Sequence, residues 1–474
     1  MTLMKKGIIF DTVPGYEEYK IFFGDLHGHT ADSFDVKLPD DGACPIDDGP
    51  ATALAYARDP AGGNLDFMAF TDHAEAFNIA EDWSEADITR RYQEMLQLCA
   101  ANDEAEDIVV FPGFEYSNSQ HPGADNFGFG NKHIIFRHHS VAAPRPIPCP
   151  DTANKNGKIA QNIRQAWEEL DETKARGNYI TVPHHPARGL LFEDGNTYFM
   201  ASDWSERGVD AERMPLVEMY SLNGNSEMPE GEEPVKGLME DYTVEVALGK
   251  WLLPPHNPAY KLGFIASTDN HIARPGYLDR QGTLPKPYDS RRLYGGYAAA
   301  WATNLSGDAI WDGLQKKRTY ATSGARILLA VSLSCGVKRC IMGETLQLPA
   351  GRREPIQLII AAAPDSLAIN RQNAPVGIHH IEIFKQTINQ VECLRIAPAA
   401  FDAVDEATGA ISLTWTDENL SDQRAIYRVK VFQNPTLAVE NLIEKGEWNE
   451  ELYCLHHRAW SSPIWVEGGK TNQE

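Results

Sequence analysis

The sequence predicts an α/β domain built on a parallel barrel or open sheet, followed by a smaller all-β sandwich. Three observations lead there. Up to about residue 324, short apolar runs alternate with helix-compatible stretches, and most runs are followed at once by polar, Gly, Pro or His residues. From Ala325 onward, strand-like segments follow one another with little amphipathic helix between them. The histidines are also unevenly placed: 11 of the 15 precede residue 325.

In chain order, the runs Ile21–Phe23, Phe67–Phe70, Ile108–Phe111, Ile134–Phe136, Tyr179–Val182, Leu216–Tyr220 and Leu262–Ala266 read as buried strands. Two helices are predicted between them. Residues 85–100 place Ile88, Tyr92, Met95, Leu96 and Cys99 on one face, and residues 159–174 do the same with Ile163, Trp167 and Leu170. Strand, polar loop and helix in repetition is the pattern of a parallel α/β architecture. Further on, Leu328–Ser334, Ile356–Ala361, Ile378–Phe384, Ile411–Trp415 and Ala425–Phe432 read as strands separated by Gly, Pro, Asn and Asp turns, the signature of a sandwich. The expected division is therefore residues 1–324 and 325–474. The segment Trp460-Ser461-Ser462-Pro463-Ile464-Trp465 offers two aromatic anchors for packing one part on the other.

With 474 residues, 42% hydrophobic and 23% charged, the composition is that of a soluble globular protein. The net charge of −24 divides into −20 before Ala325 and −4 after it, which argues against a nucleic-acid partner held on a broad basic face. A small anion held at metals is compatible with it, because a local cation cluster overrides the global field. No run approaches the roughly 18 apolar residues of a membrane span, so no membrane partner is expected. The first ten residues meet Asp11 too early for a secretory apolar region. Seven cysteines without a CxxC pair make no disulfide framework, and the expected location is cytoplasmic. A homo-oligomer is left open.

The chemistry lies where the runs end. Ile21–Phe23 leads to Asp25-Leu26-His27-Gly28-His29, Phe67–Phe70 to Thr71-Asp72-His73, and the run ending at Phe111 to Glu115. Tyr179–Val182 leads to Pro183-His184-His185-Pro186, Leu262–Ala266 to Asp269-Asn270-His271, and His133 opens the strand at Ile134. Alternation along a strand lets His27 and His29 face one cavity, as it does Asp269 and His271. Each motif alone is weak evidence: Asp72 beside His73 can belong to a self-satisfied loop, and Glu115 can be an exposed strand end. Together they converge imidazoles and carboxylates at the ends of buried strands, which is costly unless they are paired or coordinated. A metal site follows, with a donor set that suits Zn, Mn or Fe better than a thiolate site does. Asp72 is assigned the fixing of an imidazole tautomer. Arg188 and Arg274 are candidate cations for an anionic substrate, and Lys132 is a weaker one because alternation turns it away from His133. The pairs His138-His139, His379-His380 and His456-His457 read as exposed or core residues.

His27-x-His29, Thr71-Asp72-His73, Glu115, His133, His184/His185-Pro186 and Asp269-x-His271, in this order, resemble the motifs of the PHP (polymerase and histidinol phosphatase) superfamily. The resemblance covers roughly residues 20–325. Arg318-Thr319-Tyr320-Ala321-Thr322-Ser323-Gly324 and the β-rich remainder are similar to a branch that carries a C-terminal β-sandwich and only a domain-of-unknown-function label. The resemblance implies a distorted (β/α)7 barrel around two or three divalent metal ions.

Position by position, it implies a first site of His27, His29, Glu115 and Asp269. A second shares Glu115 and adds His133 with His184 or His185, and a third uses Asp35, His73 and His271. The family often has Ser-Asp-Gly five residues after the second His, whereas Asp32 and Asp35 stand three and six residues after His29, which puts the third site in doubt. The expected activity is metal-dependent hydrolysis of a small phosphate ester, with Glu115, Asp269, Asp72, Arg188 and Arg274 as the catalytic set. The alternatives are hydrolysis of another ester, sulfate ester or amide, or a non-catalytic metal-stabilised binding protein.

Overall fold

Each of the seven apolar runs before residue 325 forms or overlaps a strand in the computed structural model, which describes residues 10, 13–33, 36, 49–74, 85–117, 130–147, 162–191, 197–229, 234–235, 237–277, 295–349, 351, 354–370, 372–419, 423–444 and 456–468. The strands are β1 (Lys20–Gly28), β2 (Phe67–Phe70), β3 (Val109–Phe111), β4 (Gly113–Tyr116), β5 (Lys132–Phe136), β6 (Tyr179–Pro183), β7 (Gly189–Leu191), β8 (Thr197–Phe199), β9 (Leu216–Ser221), β10 (Gly224–Asn225), β11 (Gly263–Ala266), β12 (Tyr297–Ala302) and β13 (Thr319–Thr322). The remainder are β14 (Leu328–Cys335), β15 (Lys338–Ile341), β16 (Thr345–Gln347), β17 (Ile356–Ala363), β18 (Ile378–Gln386), β19 (Val391–Ile396), β20 (Ala403–Val404), β21 (Ile411–Asp417), β22 (Ala425–Gln433), β23 (Arg458–Ser461) and β24 (Ile464–Glu467). The fold is mixed α/β, with many strands and few helices among the described residues. The two predicted helices are observed at Glu85–Ala101 and Ile163–Asp171. The second starts four residues later than its periodicity suggests, because Asn162 caps it by accepting from the Gln165 N–H.

The sheet is less parallel than the sequence predicts. β1, β2 and β3 are parallel neighbours, as are β9 and β11. β12 lies antiparallel on the other edge of β1, and β4, β5 and β6 form an antiparallel set. An apolar run has the same pattern in either direction, and strand direction is fixed by the connections instead. One continuous sheet runs in the order β3-β2-β1-β12-β13-β23-β22-β24-β16, from early strands to the last strand of the chain, with β18 paired to β22 and β19 to β18. A second C-terminal sheet follows the order β15-β14-β17-β21-β20.

The strand ends that carry the motifs are tied together by backbone bonds. Thr71 N–H donates to Gly28 O (3.1 Å), Ala74 N–H to Glu115 O (2.9 Å), Asp269 N–H to His27 O (3.0 Å) and His184 N–H to Asn131 O (3.4 Å). One core cluster takes Phe67, Ala69, Phe111, Ile135, Val182, Leu216 and Ile265 from six strands. Counting by twos from these residues leads to His73, Glu115, His133, His184, Glu218 and Asp269. The alternation that buries the apolar side chains thus sends polar ones to a common end. β1 departs from strict alternation at a register shift between Asp25 and Gly28, and this irregularity lets His27 join the set beside Leu26.

Candidate metal centre

Glu115 is the middle of the centre. It is 2% exposed, and its two carboxylate oxygens face different groups. Oε2 lies 3.4 Å from His27 Nε2 and 3.5 Å from His29 Nε2, whereas Oε1 lies 3.1 Å from His184 Nε2 and 3.7 Å from His73 Nδ1. Ser117 Oγ (2.9 Å) and Asn131 Nδ2 (3.3 Å) also donate to Oε1. Asp269 Oδ1 closes the other side, 3.2 Å from His27 Nε2 and 3.6 Å from His29 Nε2. Its backbone is left-handed, at φ 52°, a conformation Asp tolerates better than most residues.

Three overlapping groups have donor atoms all within 4.8 Å of one another: His27, Glu115, His133 and His184; His27, His29 and Asp269; and His29, His73 and His271. The first two groups share His27, and Glu115 lies between them, so His27, His29, Glu115, His133, His184 and Asp269 are brought together. The third joins His73 and His271 to His29, and Asp35 lies outside the described residues. Of the two adjacent histidines, His184 is the one that lies in these groups. His133 and His184 stack with ring centroids 4.2 Å apart, whereas His185, left-handed at φ 31° and with its ring edge-on to that of His184 at 4.3 Å, belongs to none of the groups.

The donor chemistry fits divalent metal. His27 Nε2, His29 Nε2, both ring nitrogens of His133 and Nδ1 of His184 are buried without a hydrogen-bond partner. Leaving such atoms unsatisfied costs about 1–3 kcal/mol each. The partners on the far ring edges are consistent with this. Glu218 Oε2 holds His27 Nδ1 at 3.0 Å and Ser33 Oγ holds His29 Nδ1 at 3.0 Å, so both rings present Nε2 inward. Burial, with the neighbouring His271 and His73, lowers the pKa of His29 to about 3. Burial likewise holds His133 well below the ordinary histidine value, with His27 and His184 adding to the effect. Glu115 is held far below the usual carboxylate range: burial alone raises it, but the His73 and His184 charges prevail. His27 departs from this pattern: burial lowers its pKa, but the Asp269 and Glu218 charges and the hydrogen bond to Glu115 prevail and hold it well above the ordinary histidine value. Neutral His29 and His133 beside an anionic Glu115 are the protonation states that metal ligation needs, and a cation bound at His27 Nε2 would take the place of its proton.

Other predicted residues are placed differently. Asp72 binds the loop after His29 rather than an imidazole, accepting from Thr30 N–H (2.6 Å) and Thr30 Oγ1 (2.9 Å). Burial and the nearby Asp32 push its pKa up to about 7, and Ser33, which holds His29, is a further hydrogen-bond partner. Its influence on a tautomer therefore passes through Ser33. Arg274 is buried with its guanidinium over the rings of Tyr56 (5.8 Å) and Tyr277 (6.0 Å). Arg188 sits on the turn after His185, whose carbonyl accepts its N–H at 2.9 Å, and its charge helps keep His185 neutral after burial and His184. Lys132 is fully buried on the opposite side of β5 from His133, its Nζ reaching Gly130 O at 3.4 Å. Outside the centre, His138 pairs with Asp103 at 2.5 Å on the surface, and His380 stacks on Phe432.

Sequence reasoning missed Glu218, Ser33 and Asn223, whose amide donates to Asp269 Oδ2. Glu218 had a readable signal, a carboxylate in the middle of the apolar run Leu216–Tyr220, and it is buried in the fold.

Comparison with known proteins gives sparse results. A family model for proteins of unknown function, DUF3604, matches residues 254–339, the stretch that carries Asp269 and His271. No curated protein matches the chain. Among solved structures, the chain is similar to the crystal structure of a two-domain protein containing a predicted PHP-like metal-dependent phosphoesterase from Bacteroides vulgatus ATCC 8482. That match has a TM-score of 0.39 and 13% identity, and covers 88% of this chain and 92% of the other.

Proposed function

We propose that this chain is a metal-dependent hydrolase of a small phosphate ester, with two or three divalent ions (Mn, Zn or Fe) held at the centre around Glu115. The observation that carries the reading is the division of Glu115. One carboxylate oxygen faces His27 and His29, the other faces His184, and the buried imidazole nitrogens around them lack partners. His27, His29, Glu115 and Asp269 would hold one ion, Glu115, His133 and His184 a second, and His73 and His271 a third. Bound divalent ions supply a water acidic enough to be deprotonated near neutral pH and offset charge growing on a phosphoryl group. The chain's own residues orient the donors. Glu218 and Ser33 fix the rings of His27 and His29, and Asn223 holds one oxygen of Asp269 so that the other faces the imidazoles.

The fold reading that accompanies this is a distorted (β/α)7 barrel over residues 1–324, followed by a β-sandwich over residues 325–474. In its support, backbone bonds at the strand ends connect β5 to β6, β2 to β4, β1 to β2 and β11 to β1, and Thr181 N–H of β6 reaches Arg213 O just before β9 (2.6 Å). A small anionic ester is favoured over a polymer by the net charge of −20 on residues 1–324. The test is a panel of phosphomonoesters, phosphodiesters and sulfate esters offered to the Mn²⁺- or Zn²⁺-loaded protein, with elemental analysis of the same samples. At least two divalent ions per chain and turnover of a phosphomonoester are expected. Glu115→Ala should lose more than one equivalent of metal, since Glu115 faces two groups. Fewer than one ion per chain after Mn²⁺ or Zn²⁺ loading would sink the cluster, and turnover confined to sulfate esters would reassign the substrate.

A further inference from the structure

We infer that Glu227 is a positioning residue that sets Asp269 from the far end of the chain, an inference that rests on the metal-dependent reading above. Asp269 follows β11, and one of its oxygens is held by Asn223. Asn223 belongs to the turn in which β10 folds back antiparallel on β9. The site end of this turn is fixed by Leu222 N–H donating to Thr268 O (3.2 Å) and by Asn223 N–H donating to Ser221 Oγ (3.2 Å). The middle is fixed by Ser226 N–H to Met219 O (3.0 Å) and Glu227 N–H to Asn225 Oδ1 (2.9 Å). The other end is Glu227, four positions beyond Asn223 and 1% exposed.

The Glu227 carboxylate is gripped by the C-terminal strands. Oε2 accepts from Lys430 Nζ of β22 and from Trp460 Nε1 of β23, both at 2.9 Å, and Oε1 accepts from Arg428 Nη1. Arg428 also donates to Glu245 Oε2 at 3.0 Å, and Glu245 N–H returns to Glu227 O at 2.9 Å, at the start of the helix Val244–Leu252. Arg428, Lys430 and Trp460 are all buried. A buried carboxylate with three donors on its two oxygens has one geometry, which an apolar contact does not impose. Two consecutive fixed turns then carry that geometry to Asn223, leaving Asp269 Oδ1 aimed at His27 and His29. The C-terminal strands thereby help complete a site to which they contribute no donor among the described residues.

The experiment is a Mn²⁺ titration of the full-length chain, followed by electron paramagnetic resonance well below the melting temperature. Glu227→Gln, Asn223→Ala and the double variant are compared with wild type. Loss of a residue that orients a ligand typically weakens metal binding 10–100-fold. Each single variant is expected to weaken the tightest-bound Mn²⁺ about tenfold or more, and the double variant no further than the weaker single, because both act on one path. A Glu227 with only a structural role lowers the melting temperature and leaves Mn²⁺ affinity at the wild-type value, and this result overturns the inference. Effects that multiply in the double variant overturn it as well. If Glu227→Gln fails to fold, Lys430→Met takes its place, since it removes one of the two donors on Oε2 and loosens the carboxylate. A weaker tightest-bound Mn²⁺ is then expected, and wild-type affinity with a lowered melting temperature overturns the inference. A wild-type chain that binds neither Mn²⁺ nor, in a parallel calorimetric titration, Zn²⁺ overturns the metal-dependent reading together with this one. If only Zn²⁺ binds, the variants are compared by that titration under the same criteria. Normal binding in both wild type and Glu227→Gln overturns the coupling alone.

Discussion

Asp269 and His271 stand two residues apart but do different work. Asp269 Oδ1 lies within 3.6 Å of three imidazoles, those of His27, His29 and His271, and the side chain is 3% exposed. His271 sits at the rim, its side chain 23% exposed and its Nδ1 also 3.1 Å from the Asp269 carbonyl oxygen. Asp269→Asn keeps the volume and removes a charge that faces all three of these rings. Turnover should fall at least about 100-fold, the scale of losing one key electrostatic element, with an unchanged circular dichroism spectrum. His271→Ala should cost less, and added Mn²⁺ should restore part of the loss, because His29 and His73 remain. An Asp269→Asn protein that hydrolyses its ester at the wild-type rate discards the site. If the centre is only structural, both variants lower the melting temperature and there is no turnover to lose.

At the scale of elements, β9 places Glu218 behind His27, on the ring edge away from Glu115, where it holds Nδ1 at 3.0 Å. Glu218→Gln retains the shape and weakens the acceptor that fixes this ring. Metal affinity should drop about 10–100-fold with the fold intact, which calorimetric titration with Zn²⁺ can measure; an unchanged affinity rejects the role. The strand itself was legible as Leu216–Tyr220, and so was its parallel neighbour β11 as Leu262–Ala266, but the two-residue β10 was not. Burying His, Asp or Glu at the end of a short apolar run is costly unless the strands meet at paired or coordinated groups. After residue 325, the five strands read from the sequence match β14, β17, β18, β21 and β22 to within two residues at each end, whereas the short β15, β16, β19, β20, β23 and β24 were not read. The antiparallel pairing of β4, β5 and β6 was not, since periodicity carries no direction. Nor could spacing choose between His184 and His185: a left-handed residue at 185 breaks the alternation, and a sequence pattern does not show backbone handedness. The role of Asp72 was legible only in part, because its link to an imidazole passes through the Ser33 hydroxyl.

For the whole molecule, the question is whether residues 1–324 stand alone, and the buried charges give a first measure. Burial alone raises the Glu227 pKa, but Lys430 and Arg428 outweigh it and bring the value down to about 2, below the ordinary 4.5. A depressed carboxylate stabilises the fold above its unfolded pKa and loses that contribution as pH falls toward the folded one. The difference is worth roughly 3 kcal/mol. Urea unfolding should therefore show wild type ahead of Glu227→Gln at pH 6, with the gap closing between about pH 4.5 and pH 2; a gap independent of pH rules out this linkage. Truncation after Gly324 asks more. It removes β23 from one edge of β13 and leaves Tyr320, Ala321 and Thr322 paired only with β12 on the other. It also removes Ser462, whose hydroxyl accepts from Phe264 N–H of β11 at 2.8 Å, on the strand that leads to Asp269. Trp460 and Trp465 would be stripped from a core cluster shared with Trp204, Val217, Trp251 and Phe264, exposing apolar surface on the part that remains. Glu227 would lose Arg428, Lys430 and Trp460 together. The truncated chain should express poorly or melt well below the full-length protein, and whatever folds should bind Mn²⁺ more weakly. A truncated chain with an unchanged melting temperature and full activity would show instead that residues 325–474 are a separate binding module, with the contacts at β13 and Glu227 dispensable to the site.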